Sequence, residues 1–181
     1  ELSRWGIMVP SSAGMVLAQT KAAQFLRLLA EAWADDFSPR RLLALTQHPY
    51  CCGGMERAQF RDHMRQIERQ VIRQREDSYQ GGGLVRLQEK AAKISPGLEK
   101  FVKERLIDPY QPLLQLHDAE HNLARIANAH AEAAEALSHD GITPNLVWQG
   151  RDGHRLSGLF DGISRYGSAA EVDASSYATL I

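Results

Sequence analysis

The stretch KAAQFLRLLAEAWA, residues 21–34, decides the fold class of this chain. Its apolar residues recur at helical spacing, which predicts an amphipathic helix with a broad buried face. Thr20 precedes this pattern, and its hydroxyl can cap the first turn. Ser38 and Pro39 then restart the chain in the cap-then-proline order typical of a helix start. The expected buried face comprises Phe25, Leu26, Leu28, Leu29, Ala32 and Trp33.

Helical patterns also cover most of the chain after this stretch, so the sequence predicts a mainly α fold. The only extended segments that we expect are a short strand at 7–9 and a brief stretch at 146–148. Nothing else in the chain predicts a convincing sheet, so we expect partners of the 7–9 strand to lie outside it. The further helices are predicted at 39–47, 56–76, 84–94, 97–107, 112–138 and 154–166, with a last helix capped by Asp173.

The composition is that of a globular chain able to bury a core. Of 181 residues, 44% are hydrophobic and 24% are charged. No apolar run approaches the ~20 residues that span a bilayer, and no secretion signal opens the chain, so we expect a cytoplasmic protein without a membrane partner. The net charge is −1, yet residues 51–110 hold twelve basic and nine acidic side chains. This mildly basic middle permits contact with a polyanion.

The two cysteines, Cys51 and Cys52, are adjacent in sequence. Neighbouring cysteines rarely bridge each other, and two thiols without ligands at metal-binding spacing make a poor metal site. We expect reduced, partly buried thiols and no metal or other cofactor in this chain.

A row of arginines is the candidate for nucleic-acid contact. Residues four apart stay on one side of a helix, and such a ribbon beside Lys90, Lys93, Lys100 and Lys103 can track a phosphate backbone. The alternative is a solvated face balanced by Glu56, Asp62, Glu68 and Glu76. The row consists of Arg57, Arg61, Arg65, Arg69 and Arg73.

The segment 117–121 matches H-x-x-E-H, the inverted zinc-protease signature. Within a helix, His117 and His121 share one face and can both reach a zinc ion, while Glu120 polarises its water. The motif still needs a third ligand and a cleft. Its alternative is a solvated helix face with local charge pairs.

Other signatures of catalysis are missing from the sequence. The glycines at 81–83 lack the order of a phosphate-binding loop, and no serine or cysteine triad has the context that it needs. We therefore expect no complete active site and no enzymatic activity in this chain, which reads as an internal piece of a larger protein.

The order of segments resembles the second RecA-like half of superfamily 1 helicases of the UvrD type. Residues 2–7, 11–14 and 17–20 come first, the helical stretches 25–32 and 37–45 follow, and His48-Pro49 closes the region. Residues 67–73 and 146–153 resemble the inserted region of the AddB-type subunit of the bacterial AddAB helicase–nuclease, in its alphaproteobacterial form.

This resemblance implies a role in processing DNA double-strand breaks for recombination, with a helicase motor subunit as partner and DNA as ligand of the full-length protein. It implies that residues 1–50 belong to a RecA-like α/β domain, 51–145 form a helical insertion and 146–181 return to the parent domain. The family's Walker A loop, nuclease motif and iron–sulfur ligands have no match here, so none of its catalytic residues transfers. A protein-interaction module without DNA binding and a small zinc hydrolase remain the alternatives.

Overall fold

The computed structural model describes residues 16–74 and 82–181. The strand predicted at 7–9 lies outside the described residues, as does Gly81. The described part is mainly helical, as predicted, and contains one two-stranded sheet.

The first two helices begin where the caps predicted. Helix α1 spans Lys21–Ala34, and the hydroxyl oxygen of Thr20 accepts a hydrogen bond from the Ala23 N–H at 3.3 Å. A 3-10 turn, Leu17–Gln19, precedes it. Helix α2 spans Pro39–Gln47 and ends before His48, because a residue that precedes proline is disfavoured in the helical region.

The middle of the chain contains two helices that continue into π-helical turns. Helix α3, Arg57–Ile67, continues into the π-segment Glu68–Ile72. Helix α4 spans Leu84–Ala92. Helix α5, Pro96–Val102, continues through a second π-segment, Lys103–Ile107, into α6, Asp108–Leu114. The sequence therefore located these helical regions, but it did not predict their π-turns.

The single helix predicted over 112–138 is wrong. Helix α6 ends at Leu114, a turn follows, and strand β1, His121–Asn122, precedes helix α7, Leu123–Ser138. The amide oxygen of Asn122 accepts the Arg125 N–H at 2.8 Å and so begins a new helix. Strand β1 also pairs antiparallel with β2, Glu171–Val172, which gives its backbone groups partners that a continuous helix would have supplied.

The last part of the chain contains helix α8, Gly150–Tyr166, and helix α9, Ala174–Leu180. The stretch 146–148, predicted to be extended, is a 3-10 turn, Leu146–Trp148, and another 3-10 turn, Gly167–Ala169, follows α8. Helix α8 begins four residues earlier than predicted and packs Gly153 tightly on Trp148, where a Cβ would lie 2.3 Å from the Trp148 carbonyl carbon. Asp173 caps α9 as predicted, through the Ser176 N–H.

One hydrophobic cluster extends from Ala22 in α1 to Tyr177 in α9. Helix α1 packs against α2, α7, α8 and α9, and α7 packs against α6 and α8. The side chains of this cluster come from all three of the predicted units, 1–50, 51–145 and 146–181. The boundaries between these units remain a prediction. None of the helices in the described ranges is long and apolar enough to cross a membrane.

A tight loop at 51–54 closes the C-terminal end of α7. The N–H groups of Cys52 and Gly53 donate to the Leu137 carbonyl at 2.8 and 2.9 Å, and the Gly54 N–H donates to the His139 carbonyl at 2.8 Å. These bonds satisfy carbonyls that the end of a helix leaves unpaired. Gly53 has φ +58°, and a Cβ there would lie 2.8 Å from the Phe60 ring.

Candidate nucleic-acid interface

The arginine row lies on α3 and the π-segment that continues it. Four apolar side chains of this continuous helix are buried: Phe60, Met64, Ile67 and Val71. Because they hold one face against the core, the opposite flank faces solvent. Four of the five predicted arginines are exposed on that side: Arg61, Arg65, Arg69 and Arg73. We call these four residues the arginine ribbon.

The π-segment changes the path of the ribbon. In an α-helix, four residues advance by 400°, so a row at that spacing drifts around the axis. A π-turn bonds residue i to i+5 and takes more residues for each turn, which counteracts this drift. The Arg73 N–H donates to the Glu68 carbonyl at 2.9 Å, five residues back. The Arg73 Nε also donates to Glu68 Oε1 at 2.8 Å across the same turn.

Only part of the ribbon is neutralised by carboxylates. Arg65 Nη1 lies 2.9 Å from Asp62 Oδ1, and Arg73 pairs with Glu68. Arg61 and Arg69 have no ion-pair partner among residues 16–74 and 82–181. The exposed Arg65–Asp62 pair contributes about 0–1 kcal/mol, so a phosphate can displace it at small cost.

Two adjoining concavities accompany the ribbon. The larger, of about 590 Å³, runs beside the exposed flank, and the smaller, of about 250 Å³, lies between α2 and α3. Both are walled by Arg65 and Glu68, and the smaller one also contacts Arg61. Leu43, Thr46 and Gln47 of α2 line the smaller concavity. The sequence did not predict their place beside the ribbon, because only the packing of α2 on α3 brings them there.

Arg57 does not belong to this surface. Its side chain is half-buried, and its Nε is inaccessible to solvent and has no hydrogen-bond partner in the described structure. The structure therefore separates the first predicted arginine from the other four.

The lysines expected beside the ribbon differ in their surroundings. Lys100 lies 3.8 Å from Glu104, Lys103 is exposed, and Lys90 and Lys93 make other interactions. Helix α5, which carries Lys100, packs on α3 through Phe101, whose ring stacks on His63 with centroids 4.7 Å apart.

The helical premise of the zinc signature is wrong. His117 lies in the turn after α6, Glu120 precedes β1, and His121 lies in β1, so the two histidines are not one helical turn apart. His117 instead contacts Asp118, with Nδ1 3.2 Å from Oδ1, and meets the Trp33 ring edge-on. Among the described residues, no group of three or more histidine, cysteine, aspartate or glutamate side chains could hold a metal ion.

The cysteines are free thiols and more deeply buried than the sequence suggested. Cys51 is 0% exposed and Cys52 1%. Burial raises the pKa of both thiols; the nearby Asp140 carboxylate raises that of Cys52 further, and Arg57 opposes it. Buried thiols with raised pKa values are poor nucleophiles, so this pair is not a reactive centre.

No family model, curated protein or solved structure matches this chain.

Proposed function

We propose that this chain is a non-catalytic, DNA-contacting helical segment of an AddB-type helicase–nuclease subunit. The observation that supports it is the arginine ribbon: four exposed guanidinium groups follow one flank of a continuous α–π helix, and adjoining concavities lie beside them.

The chemistry of the ribbon suits a phosphate backbone. Successive arginines four residues apart are spaced by about 6 Å along an α-helix. A guanidinium group presents planar paired donors that match phosphate oxygens, and such contacts read backbone rather than base sequence. This arrangement supports sequence-independent, salt-sensitive binding.

Within this proposal, residues 51–145 are a cytoplasmic helical insertion attached to a RecA-like domain. Residues 1–50 belong to that domain, and residues 146–181 return to it. The full-length protein acts with its helicase motor subunit on DNA double-strand breaks during repair and recombination. The segment shapes the DNA path and contributes neither a catalytic residue nor a cofactor.

Charge reversal tests the ribbon directly. Binding of the 181-residue chain to a fluorescent DNA duplex is measured by anisotropy at several salt concentrations, for wild type and R65E/R69E. Each phosphate contact contributes about −0.9 to the slope of log K against log salt, so we expect the variant to lose up to about 1.8 of that slope. Affinity should fall to a similar degree for duplexes of unrelated sequence.

The matched control is R151E/R155E, which makes the same charge change at two exposed arginines of α8. It should keep the wild-type salt slope. If both double variants lose the same affinity, net charge alone explains binding; if R65E/R69E binds like wild type, the ribbon does not contact DNA.

A second candidate function is a protein-interaction module, and exposed apolar side chains favour it. Ile142 is 89% exposed at a loop, and Leu159 and Tyr166 are 50% and 77% exposed on α8. Absence of wild-type DNA binding at low salt, together with a stable complex whose formation I142D or L159D abolishes, would favour this function over the first.

A further inference from the structure

The two concavities beside the ribbon share a wall but differ in chemistry. Arg65 and Glu68 line both of them, so one ligand can occupy both at once. The larger, of about 590 Å³, lies by itself within the ~300–1,000 Å³ typical of small-molecule sites. The side chains that line it are all charged or carboxamide groups: Asp62, Arg65, Gln66, Glu68, Arg69 and Arg73. This concavity therefore suits the charged part of a ligand.

The smaller concavity, between α2 and α3, has an apolar wall. Leu43 is half-buried there, and Met64 is 5% exposed. Together they suit the face of a planar ring, because the sulfur of methionine makes favourable contacts with aromatic rings. With about 250 Å³, the space of roughly eight water molecules, this concavity has room for a single nucleobase.

Gln47 supplies the polar contact that the edge of a base needs. Its side chain is exposed and makes no hydrogen bond in the described ranges, so its carbonyl acceptor and its amide donors are both available. Thr46, by contrast, already donates its hydroxyl to the Leu42 carbonyl at 2.8 Å. A free carboxamide can pair with the hydrogen-bonding edge of an unstacked base.

The charges around the larger concavity match a single phosphate group. Three arginines and two carboxylates line it, which leaves one net positive charge. Both carboxylates already pair with arginines, at 2.9 and 2.8 Å. Arg69 is the remaining cation, and it has no ion-pair partner within residues 16–74 and 82–181. A phosphodiester carries one negative charge, so this balance suits it better than the several charges of a nucleoside triphosphate.

We infer that the two concavities together form a site for one nucleotide unit. Its base lies against Leu43, Met64 and Gln47, and its phosphate contacts the arginines of the larger concavity. This inference rests on the proposed contact of the ribbon with DNA, and it adds a base to a contact that otherwise involves phosphates alone. A base that is paired and stacked in a duplex cannot enter the smaller concavity, so the site takes unpaired nucleotides.

The nucleotide unit belongs to a single strand or is a free nucleotide, which share this chemistry, and the charge balance favours the strand. Removal of the bases from a strand tests the site. Binding of the 181-residue chain to a fluorescent single-stranded oligonucleotide is measured by anisotropy and compared with binding to a strand of equal length in which every residue is abasic. Because both strands carry the same phosphates, their slopes of log K against log salt should be similar. We expect the strand with bases to bind at least threefold more tightly.

Two substitutions in the smaller concavity should remove this difference. Gln47→Ala removes the hydrogen bonds to the base, and Leu43→Trp fills the space that the base occupies. Both should bring the ratio of the two affinities toward one and leave binding of the abasic strand unchanged, because the ribbon is intact. Since Gln47 is exposed and makes no hydrogen bond in the described ranges, its variant keeps the test valid even if Leu43→Trp unfolds.

The matched control is Gln115→Ala, the same change at an exposed glutamine that follows α6 and lines a different concavity. It should keep the wild-type ratio. Equal affinity of the wild type for the two strands, or a ratio that neither Gln47→Ala nor Leu43→Trp lowers, would overturn the inference. If the wild type ignores bases but R65E/R69E still reduces its salt slope, the ribbon stands and only this site fails, so the two failures are distinguishable.

Competition decides the source of the nucleotide. Displacement of the labelled strand by deoxyadenosine monophosphate from the wild type, but not from Gln47→Ala, identifies a free nucleotide as ligand. Displacement by an unlabelled strand alone identifies a nucleotide unit within a strand.

Discussion

The hydrogen bond between Tyr177 and His130 should measurably stabilise the chain. His130 is 0% exposed in α7, and its Nδ1 lies 2.8 Å from the hydroxyl oxygen of Tyr177 in α9. The substitution Tyr177→Phe removes this hydroxyl and keeps the edge-on ring contacts with Trp33 and His130.

The expected cost follows from the burial of the group left behind. A buried nitrogen that loses its partner costs about 1–3 kcal/mol, because neither water nor another group replaces the bond. For a chain of this size, each kcal/mol lowers the Tm by about 2–4 °C, so we expect a decrease of about 2–12 °C.

Urea unfolding measures the free energy, and an unchanged m-value shows that the same surface is exposed in both proteins. Hydrogen exchange should be faster in α9, because the lost bond joins this helix to α7. Tyr166→Phe is the matched control: Tyr166 is 77% exposed, and its variant should remain within about 0.5 kcal/mol of wild type. A Tyr177→Phe protein as stable as that control would refute the reasoning.

Three further predictions concern stability. Gly53→Ala should destabilise the chain by about 1–3 kcal/mol in urea unfolding, since φ is +58° and the added Cβ would meet the Phe60 ring. In contrast, a Cβ at Gly162 would have no heavy atom within 4 Å, so Gly162→Ala should stabilise α8 by up to about 1 kcal/mol in the same assay. Asn122→Ala removes the α7 cap and should cost about 0.5–2 kcal/mol, while Asn122→Asp should retain most of the stability. Burial lowers the folded-state pKa of His130 to about 3 and helps to lower that of His48 to about 4, so the unfolded state binds more protons than the folded state below about pH 6.5. The free energy of unfolding should therefore fall as the pH drops from about 6.5 toward 4, by up to about 1.4 kcal/mol per pH unit for each histidine. His48→Gln should make this pH dependence shallower.

Helix positions were predicted well where a local cap or a proline marks them. Helix α1 has the predicted limits, 21–34, because Thr20 caps its start and its apolar face is regular. Asp173 similarly marks the start of α9. These signals are local hydrogen bonds, so the sequence contains them directly.

The prediction failed where a distant segment competes with a local pattern. Residues 112–138 contain helical spacing throughout, yet residues 121–122 pair with β2 about fifty residues later. The zinc hypothesis assumed that helix, so its premise of two histidines one helical turn apart is wrong. Nothing in the local spacing reports such a pairing, because it depends on how α7 and α9 pack around α1.

The sequence by itself determined that the chain is mainly helical and that a row of arginines occurs at helical spacing, since periodicity and capping are properties of neighbouring residues. Only the tertiary structure decided which arginines share an exposed surface. Burial of one face of α3 leaves Arg61, Arg65, Arg69 and Arg73 in solvent, whereas Arg57, at the start of the same helix, is half-buried with its Nε inaccessible to solvent. The charge of each arginine follows from the sequence alone. The residues that surround an arginine side chain, and its exposure to solvent, depend on contacts between distant segments.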